Sequence, residues 1–292
     1  GPAVQRRVLW SALAEQGPHD SAETAGTSDV LGSQVLDPDQ RVQVSLPAGV
    51  TCLVDMMRPG VGFAALKLLE QAGCEVIVPA AQTCCGQPGW NSGDRPAAVA
   101  LARKMIEEFR DCPHVVIPSG SCAGMVCTHY PELFRDEPLM RQAAEQLAAR
   151  THELSDFLAS IAQVRSVPGE YQGDVTYHDS CAGLRELGVK QQPRQLLGLV
   201  PGLALREMNE CETCCGFGGT FAIKYGDISA QMADRKCDHI AASGAGAVVL
   251  GDLGCMLNIE GRLRKRGDMT TKVLHVAEVL AGVVDEAKAE KG

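Results

Sequence analysis

The chain has 292 residues, 45% of them hydrophobic, and a formal charge of −9, which suits two domains of moderate size with ordinary globular cores. The acidic balance argues against nucleic acid and anionic membrane surfaces as partners, and 4% aromatics leaves few rings for base stacking. No apolar run approaches the ~20 residues that span a bilayer, and an odd thirteen cysteines point to a reducing, cytoplasmic compartment rather than a secreted disulfide framework.

Residues 1–42 lack sustained periodicity and read as a tail, largely disordered or artificially appended. After it, RVQVSLPAGV predicts a strand, VGFAALKLLEQAG an amphipathic helix and CEVIVPA a second strand. DRPAAVALARKMIEEFRD predicts a helix with Asp94 as N-cap and Pro96 in its first turn. HVVIPSG follows as a buried strand, and THELSDFLASIAQV as a closing helix. The order then recurs. DVTYHDS, LALREMNE and AVVLGDLG read as strands, RQLLGLV and ISAQMADRKCDHIAASG as helices, and KVLHVAEVLAGVV as the second closing helix. The pattern predicts an α/β fold of two tandem pseudo-repeated domains, 43–165 and 174–285, joined by a linker at 166–173. Each is expected to hold a mainly parallel sheet flanked by helices.

The cysteines carry the repeat. Cys52 and Cys181 are 129 apart, Cys84 and Cys214 are 130 apart, and Cys122 and Cys255 are 133 apart. Each half has one cysteine after its first strand, a Cys-Cys-Gly after its second and one cysteine after its third. Loops after parallel strands gather at the carboxyl edge of the sheet, where α/β folds bind ligands. The spacing therefore predicts two four-thiol sites, Cys52, Cys84, Cys85 and Cys122, then Cys181, Cys214, Cys215 and Cys255. Such thiolates suit iron–sulfur clusters or zinc. Gly86 and Gly216 allow the tight turn that brings adjacent cysteines to one centre and let the backbone approach it.

Other residues have weaker claims. Cys211, in CETCC, is a further ligand or a redox partner, although the first half has no counterpart. Cys127 lies five after Cys122 and reads first as packing, while Cys74, Cys112 and Cys237 read as filler. His178 is a weak catalytic candidate as a proton carrier or cluster-bonding imidazole, with a satisfied core histidine the equal alternative. Arg185 and Lys224 are candidates to hold a small carboxylate, with solvated charge the simpler reading. RLRKR at 262–266 reads as the solvated end of a helix.

The stretches TCLVDMMRPGVG, ALKLLEQAGCEVIVPAAQTCCGQPGWNSGDR, PSGSCAGM and HYPELF resemble the lactate utilization protein A family. So do YHDSCAGLRELGV, CCGFGGTFAIKYGDIS and GDLGCMLNIEGRL, the likeness covering residues 43–282. The paired CCG motifs are more widely similar to the cysteine-rich subunit of heterodisulfide reductase and to the iron–sulfur subunit of glycolate oxidase. The resemblance implies a subunit of a cytoplasmic complex that oxidises L-lactate to pyruvate. Electrons would pass through cysteine-ligated clusters of the 4Fe–4S type, one or two per chain, with zinc the alternative in one half. The chain lacks a CxxCxxCxxxC run, a GxGxxG after a strand and a flavin signature. Partner subunits are therefore implied, one of them with ferredoxin-type clusters.

Two positions depart from the wider pattern. Cys122 is followed by Ala-Gly-Met and Cys255 by Met-Leu-Asn, so the CxxC that gives the reductase subunit a fifth thiol per half is absent. Ala182 stands where the family usually has histidine, which leaves His178 as the imidazole able to substitute. Two other functions stay open at this point, a thiol or heterodisulfide reductase acting on a sulfur substrate and a zinc-stabilised scaffold without enzymatic activity.

Overall fold

The computed structural model describes residues 42–46, 52–79 and 81–283, without the side chains of Cys52, Leu53 and Asp55. The predicted tail thus lies outside the described residues up to position 41. Two four-stranded sheets form the frame, every strand pair in them parallel. The first contains β1 (Val42–Ser45), β2 (Cys74–Ile77), β3 (Val115–Ile117) and β4 (Thr151–Glu153) in the order β2-β1-β3-β4. The second contains β5 (Gly173–His178), β6 (Leu203–Leu205), β7 (Ala247–Leu250) and β8 (Lys272–His275) in the order β6-β5-β7-β8. Strand order therefore reverses between β1 and β3, and again between β5 and β7. Those are the points where a parallel sheet opens a crevice at its carboxyl edge.

The apolar runs of β3 and β7 are buried on both faces, as central parallel strands must be. The Arg95–Glu108 helix starts as predicted, with Asp94 accepting from the Ala97 amide at 3.1 Å. The fourth strand of each sheet corrects the sequence reading, which placed both segments in closing helices. Thr151–Glu153 and Lys272–His275 are strands whose last residue is itself the N-cap of the following helix. Glu153 accepts from the Ser155 and Asp156 amides, and His275 Nδ1 from that of Ala277. With no turn residue between strand and helix, the sequence offers no punctuation there.

The halves share one core. Val44, Val61, Ala65 and Leu69 of the first half belong to the same apolar cluster as Val249, Val276 and Leu280 of the second. The Pro59–Gln71 helix packs on Val276–Ala281, where Lys67 Nζ donates to the Ala281 carbonyl at 2.8 Å. At the centre the first half donates to the second. The Gly120 amide donates to the Gly251 carbonyl at 3.1 Å, and the Ser121 amide to Asp252 Oδ2 at 2.8 Å. Helix Gly120–Gly124 crosses helix Cys181–Leu187 so closely that a Cβ on Gly120 would lie 2.8 Å from Ser180 Oγ and 3.1 Å from Gly183 Cα.

Glu153 is buried in this shared region, and Tyr177 lies near it. Burial raises its carboxyl from an ordinary 4.5 to about 8, outweighing the Asp156 and Ser155 amides that pull the other way. Between those values the folded protein holds a proton that the unfolded chain has released. This contribution to stability is therefore complete below pH 4.5 and lost as pH rises through about 8. We expect the urea midpoint to fall between ~pH 5.5 and ~pH 8.5, and Glu153→Gln to flatten that slope. A slope unchanged in the variant would assign the pH dependence to other groups.

Candidate metal centres

Three loops leave the carboxyl edge of each sheet, and each carries part of the cysteine pattern. In the second half Cys181 opens a helix capped by Ser180, whose hydroxyl accepts from the Gly183 amide at 3.3 Å. Cys255 lies in the first turn of the Leu253–Lys265 helix, capped by Asp252. Cys214 and Cys215 occupy the turn after β6. The four thiols form an unbroken chain, Cys181 within hydrogen-bonding reach of Cys214, Cys214 of Cys215 and Cys215 of Cys255. Cys214 is the thiol this arrangement favours as thiolate. Bonds from the Cys181 and Cys215 thiols, aided by the Gly216 amide at 3.3 Å, pull it far below the ordinary thiol range. The Cys181 and Cys215 thiols that donate to it are raised.

His178 completes this group. It is fully buried at the end of β5, and neither ring nitrogen makes a well-formed hydrogen bond. A ring nitrogen and the sulfurs of Cys215 and Cys255 all lie within 4.8 Å of one another. Burial, with the nearby Lys236 charge, pushes the imidazole down to about 3, leaving it neutral and able to offer a lone pair. A ring nitrogen approaches the Cys211 backbone outside good hydrogen-bond geometry, and neither nitrogen has another partner among the described residues. This ring, gathered with soft sulfur donors, fits a bound metal centre.

In the first half, Cys85 is buried and within hydrogen-bonding reach of both Cys84 and Cys122; those two bonds, with burial, raise its thiol well above the ordinary value. Cys52 opens the Cys52–Met57 helix after β1, but its side chain lies outside the described residues. In the same half the Trp90 and His129 rings meet at 5.1 Å, and Glu186 reaches across from the second half to 3.5 Å from His129 Nε2.

The two turns are built alike from different residues. Gly86 and Gly216 adopt φ of 84° and 88°. A donor then holds the carbonyl of the buried cysteine, Tyr130 Oη on Cys85 at 2.8 Å and Asn258 Nδ2 on Cys215 at 2.8 Å. Neither donor is marked by a motif; each becomes visible only once the turn is folded. At Gly216 a Cβ would meet the Ser229 carbonyl at 2.7 Å. Gly216→Ala is therefore expected to cost about 1–3 kcal/mol, measured by chemical denaturation. Wild-type stability in that variant would show that the turn relaxes.

The remaining candidates fall elsewhere. Cys127 Sγ points toward the Ala148 and Thr151 carbonyls, at 3.8 and 3.5 Å, and burial lifts it to about 12. It is packing. Cys211 stands beside Asp179 and Arg194, with Arg194 Nη2 3.9 Å from its sulfur, and outside the chain of four thiols. Cys74 and Cys237 are buried, and Cys112 accepts from Ser45 Oγ at 2.9 Å. Arg185 and Lys224 are exposed, and neither is seen to line an enclosed pocket among the described residues. The basic run ends a helix as expected, but it is tied down within the chain: Arg262 to Asp234, Arg266 to Asp238, and Arg264 to the Asp268 and Thr271 carbonyls.

Residues 50–127 and 175–260 each match the family profile described as the CCG cysteine-rich domain. A protein named lactate utilization protein A from Halalkalibacterium halodurans is 47% identical over 231 residues, covering 79% of this chain and 94% of that one. Its namesake from an Exiguobacterium species is 46% identical over 240 residues, covering 82% and 97%. Among solved structures, a hypothetical protein from Helicobacter pylori superposes with a TM-score of 0.56 at 10% identity. The superposition covers 98% of this chain and 54% of that structure, so this chain spans about half its length. At that identity the likeness shows the fold alone.

Proposed function

Since the chain belongs to the lactate utilization protein A family of CCG cysteine-rich proteins, we propose that it is an iron–sulfur subunit of a lactate-oxidising complex. The observation that carries this reading is the continuous set of four thiols at the carboxyl edge of the second sheet, beside a buried imidazole without a well-formed hydrogen bond. Cys181, Cys214, Cys215 and Cys255 would hold one centre, with His178 as its neighbour or an alternative ligand. Cys52, Cys84, Cys85 and Cys122 would hold the other. A 4Fe–4S cluster at either place supplies one-electron transfer.

The chain's own groups shape that chemistry. Amides of Gly216 and Phe217 aim at sulfur, which favours the thiolate form. Burial of Cys85, Cys215 and Cys255 excludes water from one side of each site, while Cys84, Cys122, Cys181 and Cys214 are only half-buried. Electrons can therefore enter or leave along the surface-facing thiols. Oxidation of lactate takes two electrons while a cluster passes one at a time, so partner subunits would complete the reaction, one of them with ferredoxin-type clusters. No described helix is long and apolar enough to cross a membrane.

The nitrogen among the second-half thiols favours one further reading, zinc in that half, for which a His–Cys set is well suited. Anaerobic purification followed by iron, sulfide and zinc analysis separates the two. Clusters in both halves give ~8 iron per chain and one cluster ~4. Zinc without sulfide overturns the redox reading.

A further inference from the structure

The helices that follow the two CCG turns bury the same stripe. Ala98 packs on Gly86 as Ser229 packs on Gly216, with Leu101 and Met232 as the next contacts. That register continues through Ala102 and Ala233, Met105 and Lys236, Ile106 and Cys237, and Phe109 and Ile240, all of them buried. One pair is chemically unlike the rest. Met105 is an apolar side chain whose sulfur accepts from Tyr130 Oη at 3.1 Å. Lys236 is 1% exposed, and its ammonium donates to the carbonyls of Glu210 at 2.5 Å and Cys211 at 3.3 Å.

A buried ammonium needs a counter-charge as well as hydrogen bonds. Among the described residues no carboxylate forms an ion pair with Lys236. The nearby Asp179 is already taken by Arg194, through bonds of 2.8 and 2.9 Å. The charged groups that act on Lys236 are the sulfurs of Cys211, Cys215 and Cys255 together with Asp179; they oppose the burial that lowers its pKa, while His178, gathered with Cys215 and Cys255, is neutral. An anionic centre on Cys215 and Cys255 would supply the missing charge. In the first half the same register holds the apolar Met105.

We infer that Lys236 is the fixed counter-charge of the second thiol site and makes a cluster there more easily reduced than one in the first half. This rests on the cluster reading above. A positive charge held at short range in a dry surround stabilises the reduced, more negative state and raises the potential. The Lys236 ammonium hydrogen-bonds the Glu210 and Cys211 carbonyls, so it acts as a positioning residue for the loop that leads into Cys214 and as a source of field.

Lys236→Met tests this, because the first half already packs methionine at that register. The protein would be isolated anaerobically and titrated with dithionite under EPR, with Cys85→Ser and Cys215→Ser identifying which signal belongs to which half. In the wild type the second-half signal is expected at the higher potential. In Lys236→Met it should move down enough to change the reduced-to-oxidised ratio at fixed potential at least ~tenfold, ~59 mV for one electron, with the first-half signal unmoved. Lys236→Arg should retain the wild-type value. An unmoved second-half signal with iron retained overturns the inference, as does a wild-type second-half potential at or below that of the first half. Loss of second-half iron in Lys236→Met but not in Lys236→Arg supports it, since charge then decides. Loss in both overturns it in favour of a loop staple. A wild-type second half without iron overturns the cluster reading too, and metal analysis shows that before any variant is made.

Discussion

Serine in place of Cys215 is expected to strip the second half of metal while the first half stays loaded, so that iron falls from ~8 to ~4 per chain. Cys215 is the link between Cys214 and Cys255 in the thiol chain, and it is buried where water cannot replace a lost donor. Serine keeps the volume but offers a hard oxygen with a high pKa, a poor ligand for soft metals. Cys85→Ser should do the same to the first half, and the double variant should be nearly free of iron. Parallel iron and sulfide assays on the four proteins check this. Wild-type content in the double variant would remove the ligand assignment. Loss of all iron from either single variant would mean that the two sites load as one.

Arg194→Met is expected to destabilise the protein by about 3–5 kcal/mol, the effect of leaving a buried charge without its partner. The Asp179 side chain is fully buried and Arg194 only 12% exposed, and the guanidinium meets the carboxylate through two bonds. Arg194 also bonds Glu207 at 2.6 Å and lies 5.1 Å over the Tyr177 ring. Asp179 precedes the Ser180 cap of the Cys181 helix, so the damage reaches the thiol site as well as the core. Urea denaturation of the metal-free protein measures the first effect without the second. Adding Asp179→Asn to Arg194→Met should recover most of the loss, since no charge is then stranded. A double variant no more stable than Arg194→Met would refute the stranded-charge account.

Much of this arrangement is legible in the sequence because it depends on spacing. The three cysteine intervals near 130 set the repeat, and the glycine after each pair marks a turn that only positive φ allows. Strands such as AVVL are continuous apolar runs, which central parallel strands require. The fourth strands escape because Glu153 and His275 end a strand and cap a helix at once. Lys236 escapes for a different reason. A lysine in a helix reads as surface, and only the packing of Ser229 on Gly216 places it on the buried stripe. His178 stays open between core and site in the sequence; in the fold one of its ring nitrogens and the Cys215 and Cys255 sulfurs lie within 4.8 Å of one another. Tyr130 and Asn258 do the same work with unrelated chemistry, so comparing the halves residue by residue cannot find them.

The contacts between the halves have the form of an isologous dimer interface. The offset that pairs Cys122 with Cys255 pairs Pro118 with Gly251, and the offset that pairs Asp156 with Glu278 pairs Glu153 with His275. His275 faces the Pro118 backbone, and a Cβ on Gly251 would sit 3.5 Å from Glu153 Oε1. In a true homodimer any substitution at such an axis is made twice and meets itself. Joining the copies in one chain lifts that restriction. Ser119 can then face Asp252, glutamate can occupy one copy where histidine occupies the other, and a lysine can enter one copy while methionine stays in the other. The covalent link is what permits two sites of common design to become unequal.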